Sequence, residues 1–221
     1  MASHGFNCLG VDINPKMINI NQNSIKVGNA LEGIKILKKE SQVIISSFHM
    51  VEHLQPYEIH EFIQDSFNAL EAGGILIIET PNIENLNVAC NSFWLDPTHI
   101  RPVNMSFLEF LCKEIGFHKT LIARFNENPD VVTKSRLSLN DVLFNVSPDI
   151  ALVAQKGPAD AALVQILSKA FTIKYGFSLQ ELSTLYDQSV ARKSILNLWL
   201  SRILKQILNN LRITLKSLVK N

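Results

Sequence analysis

The chain has 221 residues, 47% of them hydrophobic and 19% charged, with a formal net charge of +1. That length and composition suit one well-packed domain with an appendage, and they exclude a disordered or low-complexity chain. No run of about 18 apolar residues signals a transmembrane helix, and the opening residues do not read as a basic-then-apolar leader. The three cysteines, Cys8, Cys90 and Cys112, are scattered and odd in number, which suits unpaired thiols in a reducing compartment. A cytoplasmic protein is expected.

The charge is unevenly spread. Beyond Asp187 there are seven basic residues and no acidic one; taking those seven from the 21 leaves 14 basic against 20 acidic residues, about −6 over the first 187 positions. An acidic body therefore carries a basic tail.

The first element, Cys8 to Val11, reads as a short buried strand that stops on Asp12. A helix is expected from Pro15 to Asn21, with Asn14 as its cap and Pro15 at its first position. Ile25 to Val27 makes a second strand, ending at Gly28-Asn29-Ala30, and a helix follows over about 31–38. Val43-Ile44-Ile45 is a continuous apolar run suited to a strand covered on both faces. Pro56 opens a helix to about Ala72, which Gly73-Gly74 ends, and Ile75 to Glu79 is the next strand. A long loop is expected from Ile83 to Pro102, then a helix from Ser106 to Ile115 stopped by Gly116. Leu121 to Phe125 and Ile150 to Ala154 are the last strands, with a mobile polar loop expected over 126–148. Strands alternating with helices across short joints predict an α/β, Rossmann-like, doubly wound and mostly parallel sheet. Ligands bind such sheets at the carboxyl ends of the strands. Asp12, Asn29, Ser47, Phe48 and Thr80 to Asn82 all fall at those ends.

From about Ala159 the chain is expected to be helical, broken at Tyr175-Gly176. Leu196, Leu200, Ile203, Ile207, Leu211, Leu215 and Leu218 recur at helical spacing, widened by Trp199, Leu204 and Leu208. The stripe is too wide for a two-stranded coiled coil. Two readings stand: a helix packed on the body or another subunit, or a basic amphipathic helix over 190–220 making peripheral contact with an anionic inner-membrane surface. Nucleic acid is not an expected partner, because the basic residues are not interleaved with aromatics on a recognisable binding fold.

Gly10-Val11-Asp12-Ile13-Asn14-Pro15, Gly28-Asn29-Ala30, Ser47-Phe48-His49-Met50-Val51-Glu52-His53-Leu54 and Gly73-Gly74 leading into Glu79-Thr80-Pro81-Asn82 occur in that order. Together they resemble the class I methyltransferases that use S-adenosylmethionine. The run Phe93-Trp94-Leu95-Asp96-Pro97-Thr98-His99-Ile100-Arg101-Pro102 is similar to a subset found in bacterial surface-polysaccharide loci beside glycosyltransferases. The resemblance spans residues 5–157 and implies two regions, a methyltransferase-like body over 1–157 and a helical basic region over 158–221. It implies that Asp12 holds the ribose hydroxyls, Asn29 faces the adenine in place of the usual aspartate, and Phe48 lies beside the cofactor. The implied acceptor is a small molecule or glycan, methylated on a sugar hydroxyl.

One part of the family pattern is missing. Such enzymes open with a strand and a glycine-rich turn that receives the cofactor, whereas the nine glycines here include one adjacent pair, Gly73-Gly74, in a different place. A first strand and turn are therefore expected upstream of Met1. The alternative is a non-catalytic remnant acting as a membrane-surface or partner-binding module.

Methyl transfer to a hydroxyl needs positioning and benefits from a base that titrates near neutral pH. His99 is the first candidate, with Asp96 beside it, His53 as a third catalytic candidate, and Trp94 available to stack on a sugar ring. An alternative reading makes Asp96 to His99 a rigid turn whose polar groups satisfy one another. His49-x-x-Glu52-His53 also matches the inverted zinc-protease pattern, but Pro56 leaves little helix to carry it. Related quinone-pathway O-methyltransferases have ExxEH as a divalent-metal site; histidine replaces the first glutamate here, which argues against a hard cation. Glu52 and His53 read as structural polar groups, and no metal is expected.

Overall fold

The computed structural model describes residues 7–16, 25–134, 136–157 and 168–218. Two parallel strands, β1 (Gly10–Asp12) and β2 (Ile25–Val27), form one small sheet. A four-stranded sheet has the order β3-β4-β6-β5, built from β3 (Gln42–Phe48), β4 (Leu70–Pro81), β5 (Phe117–Phe125) and β6 (Asp149–Lys156). β3 and β4 are parallel, while β6 runs antiparallel to both its neighbours. The fold is α/β as expected, but the larger sheet is mixed.

Among the described residues no strand pairing joins the two sheets, the arrangement the sequence predicts where no strand lies between β1 and β3. The apolar side chains beside that gap are uncovered: Leu9, Val27, Val43 and Ile44 are all exposed. The smaller sheet is held through a helix instead. Val11 of β1 packs on Gly33 of α1 (Ala30–Lys35), where an added Cβ would lie 3.2 Å from the valine side chain. Lys35 in turn pairs with Glu61 of α2 (Pro56–Ala69) at 3.1 Å.

The main core lies between the four-stranded sheet, α2 and α4 (Met105–Ile115). Ile59 and Ile63 of α2, Leu76 and Ile78 of β4 and Leu108 of α4 are fully buried there. Burying side chains of this kind stabilises the fold by roughly 1.5–3 kcal/mol each. Gly116, at φ 113°, closes α4 as its sequence position predicts, adopting the left-handed geometry that glycine permits.

Three expectations need correcting. First, α2 ends at Ala69, and Gly73-Gly74 lie inside β4. An added Cβ on Gly74 would sit 2.9 Å from the Glu71 carbonyl oxygen, so this glycine serves a close backbone approach beside the register shift between Gln42 and Ile44. Second, the stretch from Ile83 to Pro102 is not a plain loop; it holds α3 (Leu86–Cys90), capped by Asn85, and a short 3-10 turn over Ser92–Leu95. Third, residues 126–148 carry α5 (Asp130–Thr133) and α6 (Leu139–Phe144). A small second core orders them: Val131, Leu137, Val142 and Val146 pack on Leu182 of α7 (Leu179–Leu218). The expected helix after Pro15 and the helical run from Ala159 fall largely on residues 17–24 and 158–167, outside the described residues.

α7 meets the body through its first turns. Leu182 is fully buried, whereas Leu198, Trp199, Leu200 and Leu204 are exposed. Among the described residues no helix is long and apolar enough to cross a membrane.

Candidate active site

Two groups of polar residues stand at the carboxyl ends of the parallel strands. The first belongs to the smaller sheet. Asp12 ends β1, its Oδ1 accepts the Asn14 backbone N–H at 2.7 Å, and its carbonyl accepts the Gly28 N–H at 3.0 Å. Asn29 caps α1, its Oδ1 accepting the Leu31 N–H at 2.8 Å. Each turn uses only the Oδ1 of its side chain, so Oδ2 of Asp12 and the NH2 group of Asn29 are left over for a ligand. Phe48 ends β3 of the larger sheet and is 57% exposed.

The second group is built where β3 leaves the sheet. His49 has a left-handed backbone, φ 47°, which is strained for a residue with a side chain. Its N–H donates to the Glu79 carbonyl at 3.0 Å. A 3-10 turn over Val51–His53 follows, placing Glu52 wholly inside the protein. Glu52 Oε2 accepts the Thr80 hydroxyl at 3.0 Å, while Oε1 makes no hydrogen bond. The Glu52 carbonyl accepts the Ile100 N–H at 2.9 Å. Through that bond the end of β3 fixes the segment carrying Asp96, Thr98 and His99.

Hydrogen bonding assigns the protons on both imidazoles. His99 Nδ1 lies 2.6 Å from the Phe93 carbonyl oxygen, which can only accept, so Nδ1 carries a proton and the lone pair of the neutral ring sits on Nε2. The Thr98 hydroxyl donates to Asp96 Oδ1 at 2.6 Å and so accepts from His53 Nδ1, 3.0 Å away. His53 Nε2 is therefore also a lone-pair nitrogen. His99 Nε2 lies 4.0 Å from Glu52 Oε1 and 3.9 Å from Asp96 Oδ2. The His99 ring is clasped between its neighbours, with centroids 4.4 Å from Phe93 and 4.7 Å from His53. The Thr98 hydroxyl and backbone N–H hold the Asp96 carboxyl below its ordinary range.

Charge accumulates on the other side of Glu52. His49 Nδ1 is 3.4 Å from Glu52 Oε1, and its Nε2 is 3.5 Å from Glu79 and 3.8 Å from Asp149. The contact with Glu52 pushes His49 above the ordinary histidine value, burial opposes the shift, and Asp149 and Glu79 add to it. Burial raises Glu79, with His49 acting against it.

The structure thus brings Asp96, His53 and His99 into one cluster. Asp12 and Asn29 share one edge, and Phe48 lies on the other sheet. Sequence reasoning set Glu52 aside as structural and passed over Thr98; the HxxEH spacing and the polar Asp96-Pro97-Thr98-His99 turn were the available signals.

Parallel strands with an acidic residue at the tip of the first, and polar groups gathered at the strand ends, are features of the Rossmann-like α/β folds that bind ligands at the carboxyl ends of their strands. Residues 1–121 match the family model described as a methyltransferase domain, and the chain belongs to the S-adenosylmethionine-dependent methyltransferases. Among solved structures it is similar to an S-adenosylmethionine-dependent methyltransferase from Archaeoglobus fulgidus, with 27% identity over 70% of this chain and 78% of that one and a TM-score of 0.62. An S-adenosylmethionine-dependent methyltransferase from Mesorhizobium loti shares the fold at 16% identity, covering 70% of this chain and 83% of that one, with a TM-score of 0.51. So does phosphoethanolamine N-methyltransferase 2 from Haemonchus contortus, solved with S-adenosylmethionine, at 14% identity, 71% and 45% coverage and a TM-score of 0.50. No curated protein matches the chain.

Proposed function

We propose that this methyltransferase transfers its methyl group to a hydroxyl of a sugar or glycan in surface-polysaccharide biosynthesis, with residues 1–157 as the catalytic body. The observation that carries the reading is His99: its Nδ1 is held on the Phe93 carbonyl at 2.6 Å, which turns Nε2 toward the acceptor side as the atom that can take a proton. Trp94 stands next to Phe93 with 58% of its surface exposed, a platform for a sugar face. Its indole N–H is already satisfied by the Ala89 carbonyl at 2.8 Å, which fixes the ring.

When bound, S-adenosylmethionine supplies an electrophilic methyl group on a sulfonium. Asp12 has an oxygen suited to the ribose hydroxyls, Asn29 donors and an oxygen suited to the adenine edge, and Phe48 an exposed ring to lie beside the cofactor. These residues fit the nucleoside half of the cofactor. On the acceptor side, His99 Nε2 would take the hydroxyl proton as the methyl group passes to the acceptor oxygen. Asp96 and Glu52 stabilise the resulting imidazolium, and His53 with Thr98 holds Asp96 in position.

Calorimetric titration with S-adenosylhomocysteine, beside Asp12→Ala, tests the cofactor half. Losing two hydrogen bonds to a carboxylate, at about 1.5–3 kcal/mol each, should weaken binding by on the order of 100-fold or more. Equal affinity in the two proteins would remove Asp12 from the ribose site. For the acceptor half, His99→Ala should lower transfer to a hydroxyl acceptor by roughly 10²–10⁴-fold at unchanged cofactor affinity.

A further inference from the structure

We infer that Glu52, His53 and His99 form a binding site for a divalent transition cation of the zinc or cobalt type, contrary to the sequence expectation of no metal. The inference does not depend on which acceptor is methylated, but in the loaded protein it replaces the base role given above to His99 Nε2. One donor atom from each of the three residues lies within 4.8 Å of the others. Three further observations make this a ligand set rather than a chance cluster.

Glu52 is fully buried, yet its Oε1 makes no hydrogen bond. A buried acceptor left without a donor is costly and calls for a partner of some kind. Both histidines are also prepared for coordination. Each donates its Nδ1 proton to a fixed oxygen, of Phe93 or Thr98, and so presents Nε2 as a lone pair. Metal-bound histidines are oriented in this way by a second hydrogen bond. Finally, Asp96 Oδ2 stands 3.9 Å from His99 Nε2, placing a second carboxylate at the rim where it can anchor a coordinated water.

The donor set selects the cation. Two imidazole nitrogens and one carboxylate oxygen suit zinc, cobalt or iron(II), whereas magnesium and calcium prefer oxygen ligands alone. Three protein ligands leave further positions open, as in catalytic rather than structural zinc sites. Bonds of about 2.0–2.2 Å would set the donors about 3.3 Å apart, so the site contracts by roughly an ångström on loading. His49, at 3.4 Å from Glu52 Oε1, is the one cationic competitor facing that oxygen among the described residues. A cation on His99 Nε2 displaces the proton-accepting role of that atom. The loaded site would activate a coordinated hydroxyl by lowering its pKa and release the proton to solvent.

The test uses the full chain, freed of metal with chelator and titrated with Co2+ while the visible d–d absorption is followed. One equivalent should give a saturable band of the intensity seen for four- or five-coordinate cobalt. Glu52→Gln and His99→Ala should each weaken binding at least tenfold, and His60→Ala, an exposed control, should leave it unchanged. X-ray absorption on the zinc-loaded wild-type chain should count two imidazole ligands, a result that requires no variant to fold. Absence of a saturable band, one imidazole or none, or equal binding by folded Glu52→Gln would each overturn the site. S-adenosylhomocysteine affinity measured on the same samples reports the methyltransferase reading separately.

Discussion

Neutralising Glu52 should make the cation-free protein more stable, not less. The carboxylate is wholly inside the protein, and one of its oxygens receives no hydrogen bond. An unsatisfied buried acceptor costs about 1–3 kcal/mol. Against this stands the contact with His49 at 3.4 Å, whose side chain is 47% exposed, so that pair returns about 1 kcal/mol at most. In Glu52→Gln the amide oxygen can keep the Thr80 hydroxyl bond, and the amide NH2 faces His99 Nε2. The net gain should be about 1 kcal/mol, a rise in melting temperature of roughly 2–4 °C for a chain of this size. Thermal unfolding followed by circular dichroism in excess chelator measures it. Excess zinc should then reverse the order, stabilising the wild type and leaving Glu52→Gln unmoved. A melting temperature lowered by 2 °C or more in chelator would refute the reasoning, because it would mean that the carboxylate supports the fold rather than a ligand.

Two further outcomes follow from groups away from the site. Asp141 accepts bonds from Lys134, Ser138 and Asn145 while almost fully buried, and these partners hold its carboxyl far below the usual range. Asp141→Asn should destabilise the chain by about 2 kcal/mol at neutral pH. Since the folded carboxyl is the more acidic, the stabilisation is complete above the unfolded value near 3.9 and is lost as pH falls; urea titrations should show the two proteins converging below about pH 4. Burial raises Cys112 to about 12, while Cys90 is exposed. At pH 8 a thiol reagent should label Cys90 in the folded chain and reach Cys112 only in denaturant; rapid labelling of Cys112 without denaturant would show that the α4 face opens.

The elements legible in the sequence were those with a strong local signature. Pro56 marks the start of α2, Gly116 marks the end of α4, and the apolar run at Ile75 marks β4. The misread places depend on distant partners. Nothing local in 126–148 announces order, because its apolar residues are few and find their mates on Leu182, Phe177 and Tyr186 beyond a long intervening strand. Gly73-Gly74 looks like a helix stop because the sequence does not display the close approach to Glu71 and Gln42. The site divides in the same way. Asp12, Asn29 and Phe48 could be placed by their position after strands, and Asp96 and His99 by their shared turn. That Glu52 is buried, and that its carbonyl holds Ile100 while Thr80 holds its side chain, depends on contacts 28 and more residues apart.

The bond from the Ile100 N–H to the Glu52 carbonyl has a consequence for anyone redesigning this enzyme. The segment from Phe93 to Pro102 looks like a portable cassette that could be exchanged to change the acceptor. It is not portable. Its histidine is aligned by a carbonyl within the segment and registered by a main-chain oxygen of the turn after β3, so a chimera that swaps the segment alone keeps that alignment only where the host's turn presents its main-chain oxygen in the same place. The unit that can be transplanted is Ser47 to Leu54 together with Phe93 to Pro102, two pieces of chain that must be inherited as one.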